Sequence, residues 1–362
     1  MKKIGILAFS EAQNFGAVLQ VMALSRYIDR NYGEAEVLRY VPPIIPSMYQ
    51  RFFSIRTDTM NGFLHSLASD IIYLPLKIRK YKRFQKFKKK YCKLSPYKSK
   101  DPLKCGVYDL YIVGSDQIWN LKLTKCDLNF FLPGITKSHR KCSYAASLGV
   151  DTLTEEEIAF FRNNLSSFAQ ISVREQTSKK LLCSSIKDLT IERNIDPVFL
   201  QNKSFYEQIM RPRMYRRPYT LVYTFNRDDE AIAIAKESSN NDVVMIGERL
   251  RSPDGVKMIR SVGPREFLSL IYHADMVVTD SFHGTAFCIL FHKQFGVFPF
   301  EGTSSRMRDL LRLFCLEDAL INGNVPLRYI SFDKVDAIIE EEIGRTKEYF
   351  DVFFSSKEAG KA

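Results

Sequence analysis

Within six residues, Thr279-Asp280-Ser281-Phe282-His283-Gly284 gathers two hydroxyls, a carboxylate, an imidazole and a glycine. Such a set can cap a helix, hold an anion and move a proton. Met276-Val277-Val278 ahead of it is too short and too β-branched for a helix, whereas Gly284 to Leu290 is helix-compatible, so the polar residues fall at a strand-to-helix turn. Asp280 or Ser281 can cap that helix, and its free backbone N–H groups and positive dipole end then face any anion held there. His283 is a group that changes charge near neutral pH. A lone histidine is more often a packing residue; the strand-tip position and the polar neighbours argue for a functional one.

The elements that must carry this turn alternate along the chain. Lys3 to Phe9 reads as a strand, Gly16 to Arg30 as a helix, and Glu36 to Tyr40 as a strand stopped by Pro42-Pro43. A looser stretch to about Asn61 and a basic helix over 74–93 follow. Asp109 to Val113 is a strand ending in Gly114-Ser115-Asp116, and Cys142 to Ala146 is one ending in Ser147-Leu148-Gly149. Thr154 with Glu157 forms a capping box, and strand Gln170 to Val173 delivers Arg174-Glu175 onto another helix. Arg211-Pro212-Arg213-Met214-Tyr215-Arg216-Arg217-Pro218 cannot be regular structure and reads as a linker. Behind it, strands Tyr219 to Phe225 and Asp242 to Gly247, a helix from Pro264 and strand Phe295 to Phe298 repeat the alternation. The fold class is therefore α/β, with two doubly wound, Rossmann-like domains. Residues 1–210 form the first domain, 211–218 the linker, 219–330 the second domain and 331–362 a terminal helix.

Strand tips from two such domains would line a cleft between them. The tips are Gln13 to Gly16, Gly114 to Asp116, Ser147, Arg174, Asp280 to Gly284, and Ser304-Ser305-Arg306. Arginine, histidine, aspartate and small donors recur, without carboxylates or histidines at metal spacing. Anion handling with proton transfer is the chemistry this favours. Gly16 in Asn14-Phe15-Gly16-Ala17 lets backbone approach a ligand at a helix start, but neither a dinucleotide fingerprint nor a phosphate loop is present. No serine sits in a nucleophile elbow.

A length of 362 residues suits two domains, and 45% hydrophobic residues with no run near the ~20 that span a bilayer describe a globular chain. Polar Ser10, Glu11, Gln13 and Asn14 interrupt any signal-peptide core, so a cytoplasmic location is expected. The seven cysteines are scattered without CxxC spacing, which argues against disulfides and zinc. Of the net charge of +12, the segment Lys77–Lys93 holds ten Lys or Arg and no acid. Ile78, Tyr81, Phe84, Phe87 and Tyr91 recur there at helical steps, as an apolar stripe. A solvated helix packed by its stripe and a surface for anionic lipid fit about equally; a nucleic-acid patch fits less well, because no nucleic-acid module accompanies it.

Six stretches in order resemble the polysaccharide pyruvyl transferase family: Asn14 to Gln20, Tyr111 to Asn120, Ser143 to Gly149, Ser172-Val173-Arg174-Glu175, Asp196 to Leu200, and Thr279 to Gly284. The resemblance runs from residue 3 to about 315. It implies transfer of an enolpyruvyl unit from phosphoenolpyruvate to sugar hydroxyls, usually closing a pyruvate ketal on a capsule, cell-wall or exopolysaccharide unit. It implies two Rossmann-like domains facing across a cleft, as in GT-B glycosyltransferases, with the donor chiefly on the second domain and the sugar on the first. Phosphoenolpyruvate enters as co-substrate, and neither a resident cofactor nor a metal is expected.

Guanidinium forks suit the donor's carboxylate and phosphate, which singles out Arg174 and Arg306, with Ser281, His283 and Gly284 beside them. The reaction needs a proton delivered to the donor's methylene carbon and one removed from the attacking hydroxyl. His283 is the candidate acid or a phosphate ligand, and Asp116 the candidate base or orienting group, with a helix N-cap as its alternative. Asn14, Gly16 and Ser115 complete an acceptor side on which Trp119, unless it is a core residue, offers a flat face to a sugar. Better-studied members carry Arg-Leu-His-Gly where this chain has Ser281-Phe282-His283-Gly284, so Arg306 is expected to supply the missing charge, with Arg265 and Arg308 in reserve. The family's context adds a lipid-linked oligosaccharide acceptor, for which Lys77–Lys93 would hold the enzyme on the inner face of an anionic membrane. A glycosyltransferase using a nucleotide-sugar and a non-catalytic membrane- or polyanion-binding protein are the alternatives.

Overall fold

The computed structural model describes residues 2–42, 60–249, 251–298, 304–321 and 327–355. Most of the loose stretch expected before the basic helix lies outside them. The first sheet contains β1 (Lys3–Leu7), β2 (Glu34–Tyr40), β3 (Leu94–Ser99), β4 (Leu110–Val113) and β5 (Lys141–Ser143), parallel and in the order β3-β2-β1-β4-β5. Bridges from Cys142 to Gln170 and from Ala146 to Val173 extend it through β6 (Ile171–Val173), which pairs with β7 (Ile191–Arg193). The second sheet contains β8 (Tyr219–Tyr223), β9 (Asp242–Ile246), β10 (Val256–Ile259), β11 (Met276–Thr279) and β12 (Gln294–Val297), in the order β10-β9-β8-β11-β12. Two doubly wound, Rossmann-like domains result. Central strands β4 and β8 are buried along their whole length, as their continuous apolar sequences require.

Each sheet reverses its winding once, between β1 and β4 and between β8 and β11, and ligands gather outside the carboxyl ends of such pairs. Helix α1 (Phe15–Asn31) follows β1, and its side chain Phe15 reaches across to the second domain, stacking on Phe267 at 4.4 Å and meeting the edge of Tyr223 at 5.8 Å. Residues 210–218 carry no helix or strand. Arg265 donates to the carbonyls of Ile209 and Met210, so this reserve for the donor site is an anchor for the linker.

The basic helix α2 (Met60–Tyr91) is longer than the 74–93 read from sequence, and Pro75, which suits a helix start, lies inside it. Phe84 and Phe87 are buried, and Lys88 forms a buried ion pair with Glu11 at 3.3 Å. The same helix holds the second domain: Arg83 Nη1 donates to the Ser261 carbonyl at 2.8 Å, and Lys80 pairs with Glu248 at 2.7 Å. Further along, α3 (Glu155–Leu165) carries the Thr154/Glu157 capping box, α4 (Gln176–Ser185) follows β6, α5 (Asp228–Ser238) follows β8, and α6 (Pro264–Tyr272) precedes β11. Helices α7 (Phe282–Leu290) and α8 (Ser304–Leu313) complete the second domain. Helix α9 (Val335–Ser355) returns to the first, where Phe350 stacks on Tyr144 at 5.0 Å and Tyr349 donates to the Ser143 carbonyl at 2.5 Å.

Lys141 at the start of β5 is fully buried and donates to the carbonyls of Phe131 and Leu132 at 2.9 and 3.0 Å. Burial pushes its pKa down to about 8. The folded chain therefore sheds this proton before the unfolded chain does, whose lysines titrate near 10.4. Stability from this group rises with pH across that window, by up to roughly 3 kcal/mol. Urea midpoints compared between about pH 7.5 and 9.5 should rise more in the wild type than in Lys141→Met.

Candidate functional site

At the end of β11, Thr279 Oγ1 donates to the Tyr223 carbonyl at 2.6 Å and accepts from Ser281 N–H at 3.0 Å, turning the chain out of the sheet. Ser281 then caps α7, its hydroxyl accepting from Gly284 N–H at 3.2 Å. Asp280 is not the cap. Its carboxylate accepts from the N–H groups of Phe225 and Asn226, tying the β8 tip to the β11 tip.

His283, in the first turn of α7, points out of its own domain. A Cβ on Gly16 would lie 2.0 Å from His283 Nδ1, so the absence of a side chain at Gly16 is what admits the ring. The other nitrogen, Nε2, lies 3.3 Å from Asp196 Oδ2, within ion-pair range but outside hydrogen-bond geometry. Asp196 is buried and is also met by Arg174 Nη1 at 2.8 Å, Ser115 Oγ at 3.5 Å and the Val198 N–H at 3.0 Å. Burial opposes its ionisation, but His283 and Arg174 outweigh that and hold the carboxyl well below the usual range.

Arg174 leaves the tip of β6 with Nε on Glu175 at 2.8 Å and its guanidinium 3.9 Å from the centre of the Phe282 ring. Its Nη2 is buried without a hydrogen-bond partner, as are Arg306 Nε, Ser147 Oγ and His283 Nε2, the last of which has only the ion-pair contact with Asp196. Burial, and then the charge of Arg174, lower the pKa of Arg306. A cavity of about 310 Å³ opens beside them, lined by five cations (Arg174, Lys180, Arg193, Arg306 and Arg312) against three carboxylates, Glu175, Asp196 and Asp309. Glu175 and Asp196 are already committed to Arg174. Arg193 is held by Glu342, and Asp309 accepts from Thr177 N–H, so Lys180, Arg306 and Arg312 make up the cationic excess that suits the cavity to an anion. Among the described residues no three His, Cys, Asp or Glu side chains come together as a metal site would need.

Of the donor-side candidates, Arg174 and Arg306 line this cavity, whereas Ser281, His283 and Gly284 form the cap and first turn of α7 around Phe282, which does line it; the acceptor-side candidates divide. Asp116 caps a short turn through Gln117 N–H at 2.9 Å and takes a φ of 74°, a strained conformation for a residue with a side chain. Its charge acts on both Arg174 and Arg306. Asn14 caps α1 through Ala17 N–H. Ser115 is buried with its hydroxyl toward Asp196, so it supports the ionic cluster instead of facing an acceptor. Trp119 is fully buried, stacked on Phe131 at 5.6 Å and edged by Phe161 and Phe168, and offers no face to a sugar. Arg308 is exposed. Sequence reasoning missed Asp196 and Glu175. Asp196-Pro197 reads locally as the start of a turn, which it is, and nothing local marks it as the partner of residues 174 and 283.

A family model for polysaccharide pyruvyl transferases matches residues 14–300. No curated protein matches the sequence. Among solved structures, a Listeria monocytogenes protein described as a UDP-N-acetylglucosamine 2-epimerase is 11% identical, with a TM-score of 0.49 over 97% of this chain and 90% of that one. The Neisseria meningitidis UDP-GlcNAc 2-epimerase bound to UDP-GlcNAc is 13% identical, with a TM-score of 0.46 over 98% and 93%. Neither likeness is strong enough to carry an argument.

Asp196→Asn should cost about 3 kcal/mol, read from denaturant midpoints, because it strips a buried pair of one charge. Asp196 stabilises the fold fully above its unfolded pKa of about 3.9 and loses that contribution as pH falls through its lower folded value. Below about pH 4 the wild type should therefore lose stability faster than Asp196→Asn. Gly16→Ala, which drives a methyl into the His283 ring, should weaken domain docking, seen as earlier proteolysis within residues 210–218.

Proposed function

The chain belongs to the polysaccharide pyruvyl transferase family, and from that we propose that it moves an enolpyruvyl unit from phosphoenolpyruvate onto sugar hydroxyls and closes a pyruvate ketal. The observation that carries this reading is the meeting of buried donors without hydrogen-bond partners from both domains, Arg174 Nη2 from the first and Arg306 Nε from the second, in one cavity. Leaving such groups unmatched is costly, and a ligand bearing a carboxylate and a phosphate close together would match them.

The chemistry divides among the residues accordingly. Arg174 and Arg306 bind the two anionic groups, Phe282 and Glu175 fixing the plane of the Arg174 guanidinium. Protonation of the donor's methylene carbon leaves an oxocarbenium-like centre at C2, to which one sugar hydroxyl adds while giving up its proton. A second hydroxyl then displaces phosphate from the same carbon: its oxygen bonds to C2, the C2–O bond to phosphate breaks, and its proton leaves with the inorganic phosphate as the ketal closes. His283, oriented by Asp196, supplies the proton, and Asp116, at the tip of β4, receives or orients the hydroxyl's proton. Burial of the cluster strengthens each of these electrostatic contacts.

A saccharide acceptor carried on lipid would bring the enzyme to a membrane. Of the cations between Lys77 and Lys93, Lys80, Arg83, Lys88 and Lys93 hold protein carboxylates. Arg79, Lys82, Lys86, Lys89 and Lys90 are exposed at helical steps along the opposite face, and each would add about 1 kcal/mol of attraction to an anionic surface. No described helix is long and apolar enough to cross a membrane.

Incubation with phosphoenolpyruvate and a saccharide acceptor should release inorganic phosphate; release of a nucleoside diphosphate from a nucleotide-sugar instead would overturn the proposal. Arg306→Ala should raise the KM for phosphoenolpyruvate roughly ten- to a hundredfold, the loss of one charge-assisted contact. His283→Asn should lower kcat by about 10²–10⁴. Charge reversal at Arg79, Lys82, Lys86 and Lys89 should abolish co-sedimentation with phosphatidylserine-containing vesicles at low salt and leave activity on a soluble acceptor intact.

A further inference from the structure

The tip of β8 carries an aromatic ring that the anion cavity does not use. Phe225 is 56% exposed, although every residue of β8 itself is buried. It stands beside the point where the second sheet reverses its winding, with β11 and its His283 turn as the neighbouring tip. Its backbone is held firmly: both oxygens of Asp280 accept from Phe225 N–H at 3.0 Å. One edge rests on Tyr223 at 5.5 Å, and Tyr223 in turn meets Phe15, the residue before Gly16. On the other side, the register pairs Val222 with Met245, and three residues beyond each stand Phe225 and Glu248. Glu248 is bonded to Lys80 at 2.7 Å, and both are partly exposed.

Lys80 Nζ lies 5.9 Å from the centre of the Phe15 ring, so the Lys80–Glu248 pair is linked to Phe225 through Phe15 and Tyr223, and an exposed aromatic face with a carboxylate and an ammonium group in its neighbourhood suits a pyranose. The ring's axial C–H groups pack on the aromatic face, and its hydroxyls find an acceptor and a donor. The other large exposed aromatics among the described residues, Tyr97 in β3 and Tyr329 before α9, stand at neither winding reversal. We infer that Phe225 is the stacking platform for the acceptor's pyranose ring, with Glu248 and Lys80 as hydroxyl partners. The arginine cavity draws on the tips of β6 and β7 and on α8 and does not include Phe225, so the anion and the sugar would be held by different elements. This assigns the sugar to the second domain and gives the first domain, through Arg174, a share of the donor.

The inference deepens the ketal-forming reading but can be read without it. Saturation-transfer difference NMR with methyl galactopyranoside, methyl glucopyranoside and methyl mannopyranoside should show transfer to ring protons of at least one probe in the wild type and in Phe225→Tyr. Phe225→Ala should lose it. Transfer from no probe to the wild type, or undiminished transfer in Phe225→Ala, would overturn the assignment. With a turned-over acceptor, Phe225→Ala should raise the acceptor KM about tenfold and leave the KM for phosphoenolpyruvate within about twofold, the expected cost of one lost aromatic face. Absence of phosphate release by the wild type would sink the ketal-forming reading alone, since the NMR result stands on binding.

Discussion

A carboxylate shut away from water has to be surrounded by donors, and the structure is arranged around one such group. Asp196 is met by a guanidinium from β6, a hydroxyl from β4, a backbone N–H of its own turn and an imidazole from the other domain. Removing a charge of this kind from solvent costs several kcal/mol, and only this complete set of partners offsets it. The last partner, His283, arrives only when the second domain docks. Site assembly and domain docking are therefore the same event, and a chain whose domains separate exposes Asp196 without its histidine.

Shape enforces what charge requires. Gly16 lets the imidazole lie against the start of α1, while Phe15 immediately before it fills an aromatic cluster formed by Phe84, Tyr223 and Phe267. One residue makes room and its neighbour occupies it. Stacked rings at this junction contribute beyond their buried area, and close packing makes the docked arrangement one discrete state. Helix α2 adds Arg83 and Lys80 to the clasp, and α9 carries the chain's end back onto the first sheet. The cationic face of α2 left for solvent is the half of the helix that neither domain uses.

Much of this was legible from local pattern. The β11 to α7 turn, the capping box at Thr154 and the proline start at Pro264 are written in consecutive residues, and they form where expected. Strands β3, β7 and β10 were not read, because each lies at a sheet edge: β3 contains Pro96, β7 has three residues and β10 carries Lys257 between Val256 and Met258. For Trp119 the sequence leaves a sugar platform and a core residue open, and it is the second: Phe131, Phe161 and Phe168, none of them adjacent in sequence, enclose it. Asp196 failed for the same reason in reverse. Its local sequence describes a turn, and its charge partners lie 22 and more residues away.

The departure at Ser281 follows from the same electrostatics. Its hydroxyl caps α7, a contact worth about 1 kcal/mol that an arginine side chain would not make. A guanidinium at 281 would also add to a cavity in which burial, and then the charge of Arg174, already depress the pKa of Arg306. Arg174 is held charged by Glu175 and Asp196, so the unmatched charge is that of Arg306, whose buried Nε an arriving anion would satisfy. Arg306 also enters from α8, an element separate from the His283 turn, so the cap at Ser281 and the charge of the cavity are met by different residues. The turn can then keep His283 against Gly16 and Asp196, and Asp196 and Glu175 keep Arg174 in place, while Arg306 brings its charge from a separate element.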